Sequence, residues 1–401
     1  MRKITNSVAT AYEKLIAYII ARKRLVVAVF VLSILVIGVL NVVKFQELDK
    51  VNLYNDGLRF YGALANTSIN SIIFGSRFGI TLRWINSLVF FLFGIFDGPY
   101  KYAVHSLALY LLRLAILWLF YKAFKGIINR RLLVTTIFFY LTCPLLMYGF
   151  NATLLDKTLS IFGLGVVLFW FAAQQTHARR HLIFSGMFLG LTLLTKPAGA
   201  IFPIMLALMF GLRTINLRYI KELFAVGLIA VLTFVIIYPF VFVDPLNIIF
   251  ARFGGEEQLV YINPGGDGSH SLFYYPRQII LTDLVMALGI LIYLCEEVRG
   301  LISRVKFSRF DLINIARAGS IYLLALVAIS ALLIDTDTGR GAFFSQRYLV
   351  PAIPLLAIYI FDRIYKTKSV YVYALIVGVF AYEILTSDLA GYLWWVGSVI
   401  F

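Results

Sequence analysis

Apolar runs of membrane-spanning length recur along this chain, and nothing else in it constrains the fold as much. The first extends from Leu25 to Val43, and others lie near 102–121, 132–149, 157–173, 222–242, 277–294, 317–334 and 369–386. Runs of roughly 17–25 residues suit helices that cross a hydrocarbon layer. A membrane β-barrel would show alternating segments of ~10 residues instead, and the sequence has none. Charged residues make up 14% of the chain and apolar ones 61%, against about 25% and 45–50% in soluble domains. The sequence therefore predicts an all-α, polytopic membrane protein.

Basic residues orient the spans. Arg2, Lys3, Lys14, Arg22, Lys23 and Arg24 precede the first one and make 1–24 a cytoplasmic amphipathic segment. Trp84–Phe96 is short for a span and is broken by Gly94, which suits a re-entrant or interfacial helix. With that segment left out, cytoplasmic loops fall at 1–24, 122–131, 174–181, 211–222, 295–311 and 362–368. They carry 22 Lys/Arg against 6 Asp/Glu, so the whole net charge of +16 sits on that face. Counting Trp84–Phe96 as a span would place basic loops on both faces, against the positive-inside rule.

About 11 spans result, with the N-terminus cytoplasmic and the C-terminus outside. The remaining ones are two short spans near 182–195 and 198–212, split by Lys196-Pro197, and one near 348–361. External loops are 44–101, 150–156, 243–276 and 335–347, followed by the tail 387–401. No internal repeat or low-complexity linker divides the chain, which reads as one domain over 1–401. The positive balance does not point to nucleic acid, because no Lys/Arg cluster lies in a soluble module. Cys143 and Cys295 have neither metal-site nor redox-pair spacing.

Candidate chemistry collects at the external ends of spans. Asp56 lies in the first outer loop, in Tyr54-Asn55-Asp56-Gly57-Leu58-Arg59-Phe60-Tyr61. Asp156 stands where one span gives way to the next. An aspartate there can serve only as the N-cap of a helix starting near Lys157, or it can share acid–base and orienting work with Asp56. Lys196 precedes a proline that must break the helix. A lysine at such a break needs a partner or water; a phosphate would serve, and so would snorkelling to the interface. Arg347, at an outer helix end, opposes the positive-inside trend and has the fork that matches phosphate oxygens. Loop 243–276 holds Glu256, Glu257, Asp267 and His270, and its Gly265–Gly268 core reads as a mobile gate. Asp335-Thr336-Asp337 has the form of a divalent-cation ligand pair, and equally of a solvated acidic loop.

These features together resemble the GT-C superfamily of membrane glycosyltransferases, in the branch of protein O-mannosyltransferases and aminoarabinose transferases. The likeness rests on Asp56 to Tyr61 in a long first outer loop, on Leu92-Phe93-Gly94 ending a juxtamembrane helix, and on Pro144 and Asp156. Leu194-Thr195-Lys196-Pro197, His270-x-x-Phe273-Tyr274-Tyr275 and Arg347-Tyr348-Leu349-Val350-Pro351-x-x-Pro354 complete it. Two departures stand out. Asp56-Gly57 occupies the family's usual Asp-Glu, and the customary Pro-Leu before the juxtamembrane helix is absent. No soluble C-terminal domain is expected from the sequence, a third departure.

The resemblance implies an inverting transfer from a polyprenyl- or dolichyl-phosphate sugar to an acceptor hydroxyl on the extracytoplasmic side, as in the plasma membrane of a prokaryote. The acceptor would be protein, lipid or glycan. Asp56 and Asp156 become the catalytic candidates, Asp56 as base. Lys196 and Arg347 would neutralise the lipid phosphate, with Arg59, Tyr61, His270, Tyr274 and Tyr348 as further substrate contacts. No redox cofactor is implied; a divalent metal is compatible but not demanded. Two rivals remain. A transporter or flippase predicts paired broken helices and inverted repeats, whereas only one break is evident. A polysaccharide polymerase or ligase predicts a dominant outer loop late in the chain, whereas the first loop, of about 58 residues, is the larger feature.

Overall fold

A computed structural model describes residues 48–66, 80–95, 98, 101–142, 154–210, 216–242, 284–302, 311–332 and 349–367. Its helices are α1 (Leu48–Ala65), α2 (Ile80–Phe93), α3 (Lys101–Phe124), α4 (Arg130–Thr142), α5 (Leu154–Thr176) and α6 (Arg179–Thr195). They continue with α7 (Ile201–Leu208), α8 (Leu217–Ile237), α9 (Leu284–Ile302), α10 (Ile313–Leu332) and α11 (Ile353–Thr367), with 3-10 turns at Pro197–Ala200 and Pro239–Phe242. No strand occurs among the described residues. The predicted spans near 25–43 and 369–386 and the loops 243–276 and 335–347 lie outside them.

Val104–Phe124, Lys157–Thr176 and Leu217–Ile237 are long and apolar enough to cross a membrane. Their surroundings differ. The Lys157–Thr176 stretch of α5 is 94% buried and that of α8 only 17%. An apolar helix covered on all sides is a bundle's centre; one that leaves Phe224, Leu228, Val231, Leu232 and Ile236 exposed is a wall that meets lipid. The chain is an integral membrane protein built round α5.

Small residues let its neighbours approach. Gly163 of α5 lies under the ring of Phe202 from α7, and Gly165 under Phe188 of α6. One turn apart on α6, Gly186 and Gly190 face α8: a Cβ on Gly190 would stand 2.6 Å from the Ala230 carbonyl oxygen. Between apolar helices in lipid, such close packing supplies the attraction that hydrophobic burial supplies in water. Polar side chains add to it, with Ser185 Oγ donating to the Val166 carbonyl at 3.0 Å and Ser160 Oγ to that of Val350 at 3.1 Å.

The break at Lys196-Pro197 is where the sequence puts it. α6 ends at Thr195, Lys196 is extended (φ −158, ψ 150), and Pro197 opens a 3-10 turn into α7. Other boundaries run further than the apolar pattern predicts. α9 continues to Ile302 and α11 to Thr367, because the charged residues there are paired rather than solvated. Arg363 meets Glu296 at 2.8 Å and Asp311 at 3.4 Å, Arg317 meets Glu297 at 2.6 Å, and Lys366 meets Asp362 at 2.7 Å.

Those pairs mark one end of the bundle. Arg317 also donates to the Met209 carbonyl (3.1 Å), and Glu222 takes both Arg218 (2.8 Å) and Gln174 (2.7 Å). One set of bonds thus ties α9, α10 and α11 together and another ties α5 to α8, both where the basic loops converge. The other end carries α1, α2, the starts of α3 and α5, and the ends of α6 and α8.

A prediction tests the α6–α8 contact. Overfilling a packed site typically costs about 1–3 kcal/mol. Gly190→Val should lower the thermal unfolding midpoint in detergent, whereas Gly227→Ala, where a Cβ meets nothing within 4 Å, should leave it unchanged or raised.

Candidate active site

The short helix α2 is the floor of the site. It buries Arg83, Asn86 and Ser87 along with Leu82, Val89 and Phe90, and it exposes Leu88, Phe91, Leu92 and Phe93. Polar atoms thus face protein and large apolar ones face outward, the arrangement of a helix lying at the bilayer surface. It stops where predicted: Gly94 takes φ +77 and donates to the Phe90 carbonyl at 2.9 Å, a left-handed cap that glycine adopts without steric penalty. At its start, Thr81 Oγ1 donates to the Leu191 carbonyl (3.1 Å) and Trp84 Nε1 to that of Ile237 (3.1 Å). Ile80 packs with Leu194 and Tyr238. These contacts seat α2 across the ends of α6 and α8.

Helix α1 then lies on α2. The segment read from sequence as a polar loop is helical from Leu48 to Ala65, because Tyr54, Gly57, Phe60 and Tyr61 recur at helical spacing on one packed side. Gly57 is the point of closest approach: a Cβ there would stand 2.7 Å from Asn86 Cβ and 3.1 Å from the Phe90 ring. Tyr54 sits edge-on to Phe90 (5.2 Å), Tyr102 (5.2 Å) and His105 (5.4 Å), which brings in the first turns of α3.

This contact delivers Asp56 to Arg83. The guanidinium meets both carboxylate oxygens, Nε to Oδ2 at 3.3 Å and Nη2 to Oδ1 at 3.4 Å. The Asp56 side chain retains 15% of its exposure and Arg83 only 6%. The arginine is the more deeply buried partner of the pair. Arg83 also lies over the Phe60 ring (5.4 Å), which Trp84 meets edge-on at 5.4 Å. Each oxygen of a carboxylate has two lone pairs, and the side-on arginine engages both oxygens.

The other predicted residues fall as follows. Arg59 is exposed, one turn along α1 from Asp56, and Tyr61 is half-buried against Phe90 (6.0 Å). Lys196 is half-buried and follows the Leu194 that packs on Ile80, so it shares this end of the bundle. Asp156 shares it too, since α5 and α6 form an antiparallel hairpin. Its reading as an N-cap is corrected: the helix begins at Leu154, which puts Asp156 inside the first turn. His270, Tyr274, Arg347 and Tyr348 lie outside the described residues, although Val350 is bound to Ser160 near the start of α5. Asp335 and Asp337 lie outside them as well. Among the described residues no three of His, Cys, Asp and Glu gather where a metal ion could sit.

Three residues here were missed from sequence. Arg83 and Lys101 were not singled out, and Lys157 was noted only as the place where a helix starts. Lys101 Nζ hangs over Tyr54 (5.6 Å) and Tyr102 (5.3 Å), and Lys157 is buried in the first turn of α5. The available signal was a common one: cations at helix starts on the face that the positive-inside rule leaves poor in them.

The fold has a solved counterpart. The structure superposes on the crystal structure of ArnT from Cupriavidus metallidurans bound to undecaprenyl phosphate, with a TM-score of 0.59 and 19% identity. The chain shares the fold of that structure. The match covers 84% of this chain and 60% of ArnT, so the chain spans about three fifths of that protein's length. No protein-family model and no curated protein matches the sequence. The expected fold class is therefore met by a fold shared with ArnT, at an identity too low to carry activity across.

A prediction follows from the ion pair. Removing one member of a buried pair strands the other charge and costs about 3–5 kcal/mol, whereas removing both can be nearly neutral. Arg83→Met should lower the unfolding midpoint more than Arg83→Met combined with Asp56→Asn, measured as a thermal double-mutant cycle.

Proposed function

We propose that this protein is an inverting glycosyltransferase that moves a sugar from a polyprenyl-phosphate carrier to an acceptor hydroxyl on the extracytoplasmic face. The observation that carries the reading is Asp56, a carboxylate aimed by a buried arginine at the non-basic end of a GT-C-type bundle. The carrier class is suggested by ArnT, whose solved structure is bound to undecaprenyl phosphate.

In the proposed step, the acceptor oxygen attacks the anomeric carbon from the face opposite the phosphate. Asp56 receives the hydroxyl proton as the new carbon–oxygen bond forms. The bond from the anomeric carbon to the phosphate oxygen breaks, and the phosphate leaves on its lipid. Deprotonation by a positioned carboxylate contributes most as charge develops on the attacking oxygen. Lys196, with Arg347, neutralises the leaving phosphate, an effect that gains strength in a low-dielectric groove. Asp156, at the same end, positions the acceptor. Orientation follows the charges: the paired basic end lies in the cytoplasm, which puts Asp56 outside.

A transporter would need a crossing path for its cargo. The described candidate residues gather instead at one end of the bundle, which favours transfer.

The test uses wild type and Asp56→Asn in lipid nanodiscs with radiolabelled polyprenyl-phosphate sugars and a membrane acceptor fraction. General-base removal costs about 10²–10⁴-fold, so transfer by wild type should fall by at least about 100-fold in a folded Asp56→Asn protein. Undiminished transfer by the variant would remove Asp56 as the base. Binding of the lipid with no transfer by either protein would support the transporter reading.

A further inference from the structure

At the end of the bundle away from Asp56, the seam between α6 and α8 opens to one side. The two helices run parallel: Gly186 meets Ile229, and one turn on Gly190 meets Ala230 and Thr233. A helix turns by roughly 100° per residue. One step forward from the seam on α6 and one step back on α8 therefore point the same way. Those steps reach Met187 and Leu228, both exposed, whereas the opposite steps reach Ser185 and Ala230, both buried. One side of the seam is sealed by the bundle and the other is an open apolar groove. Ile183 and Phe224, one turn earlier and also exposed, extend it towards the basic end.

Residues two turns apart share a face of a helix. Two turns before Met187 stands Arg180, and two turns before Leu228 stands Lys221, both exposed. Arg179, also exposed, stands two turns before Gly186, at the mouth of the seam itself. The helices are pinned at this level, because Arg218 of α8 donates to Nδ1 of His177 in the α5–α6 turn at 2.8 Å. Arg218 also meets Glu222 at 2.8 Å, and Glu222 accepts from Gln174 at 2.7 Å, so the carboxylate next to Lys221 in sequence is already engaged. Among the described residues, Arg179, Arg180 and Lys221 meet no carboxylate.

Three uncompensated cations above an open apolar groove match one kind of molecule, an amphiphile with an anionic head. Other occupants fit less well. The chain's own segment 1–24 carries six Lys/Arg against Glu13 alone and would bring like charge. A second copy packed here about a two-fold axis would set Arg180 and Lys221 against their own equivalents. An acidic soluble protein could meet the cations but not the groove, which descends along α8, a helix whose exposed face meets lipid.

We infer that the α6–α8 seam binds one anionic phospholipid of the leaflet at the basic end, its phosphate among Arg179, Arg180 and Lys221 and an acyl chain along Met187 and Leu228. The site is separate from Asp56, and the inference does not rest on the proposed function. A lipid held there clamps α6 to α8, the two helices whose far ends seat α2.

The test is native mass spectrometry of the purified chain in detergent, titrated with phosphatidylglycerol or with phosphatidylcholine of the same acyl chains. A basic residue near an anionic headgroup contributes a preference of about fivefold. Wild type should therefore retain one phosphatidylglycerol at least about 25-fold more tightly than phosphatidylcholine. Arg180→Gln combined with Lys221→Gln should remove about 25-fold of that preference. Met187→Trp combined with Leu228→Trp keeps the cations and fills the groove. It should weaken phosphatidylglycerol by about tenfold, the loss expected when about two methylene groups forgo burial. All four positions are exposed, and an unchanged unfolding midpoint without lipid checks that the variants fold.

Equal retention of the two lipids by wild type would overturn the inference. So would a preference that survives the glutamine pair, or phosphatidylglycerol retention that the tryptophan pair leaves intact. Glycerophosphoglycerol, the same headgroup without acyl chains, should not be retained; retention as tight as that of the lipid would make this a site for a soluble phosphate and overturn the inference. A dimer whose formation displaces the lipid would overturn it in favour of a second copy. If either variant pair does not fold, the other pair and the wild-type titration decide.

Discussion

The all-round burial of α5 is the constraint on which the rest of the structure depends. A helix at the centre of a membrane bundle has no wet face and no lipid face, so every side of it must be matched by another helix. Gly163 and Gly165 make that possible by letting the rings of Phe202 and Phe188 lie on the backbone. The same logic passes outward. α6 can lie between α5 and α8 because Ser185 meets the Val166 carbonyl on one side and Gly186 and Gly190 admit α8 on the other. With α6 and α8 fixed, their ends form the shelf that receives α2.

The site is therefore a consequence of stacking order. α2 is held by carbonyls at the ends of α6 and α8: that of Ile237 lies in the last turn of its helix, which leaves it without an internal donor, and that of Leu191 takes Thr81 alongside the hydroxyl of Thr195. α1 is held by α2 through the contact at Gly57. Asp56 is held by α1 and by Arg83. Each layer positions the next, and the polar groups that would be costly in lipid, Arg83 above all, are used as anchors between layers.

Much of this was legible in the sequence, and the reasons are physical. Spans are legible because lipid permits only long apolar helices with internally satisfied backbones. The break at Lys196-Pro197 is legible because proline cannot donate, and α2 because a run that short cannot cross. Asp56 stood out as an acid in a long outer segment. Its helix did not, because Asn55-Asp56-Gly57 reads as a turn; only the α2 surface shows that Gly57 is there for clearance. Arg83 was illegible for a related reason. Beside a tryptophan at the edge of an apolar run, an arginine looks like an interfacial anchor, and its partner lies 27 residues earlier across a contact that no periodicity announces. The far ends of α9 and α11 were cut short by the same blindness to pairing: charges end an apolar run in sequence, yet they continue a helix when each finds its counter-ion.

The two ends of the bundle handle charge in opposite ways, and this bears on which of them does chemistry. At the basic end, Arg317, Arg363, Arg218 and Lys366 all have carboxylate partners on the same or neighbouring helices. Their charges are spent on holding helices together. At the other end, Asp56 and Arg83 form a matched pair, while Lys101 rests on tyrosine rings and Lys196 stands at a helix break. Lysines on the face that orientation would leave poor in cations raise the cost of inserting the chain the right way round. The carboxylate and its arginine join α1 to α2, and the lysines stand at a helix start and a helix break, so charge at this end marks the ends of helices rather than their lateral contacts.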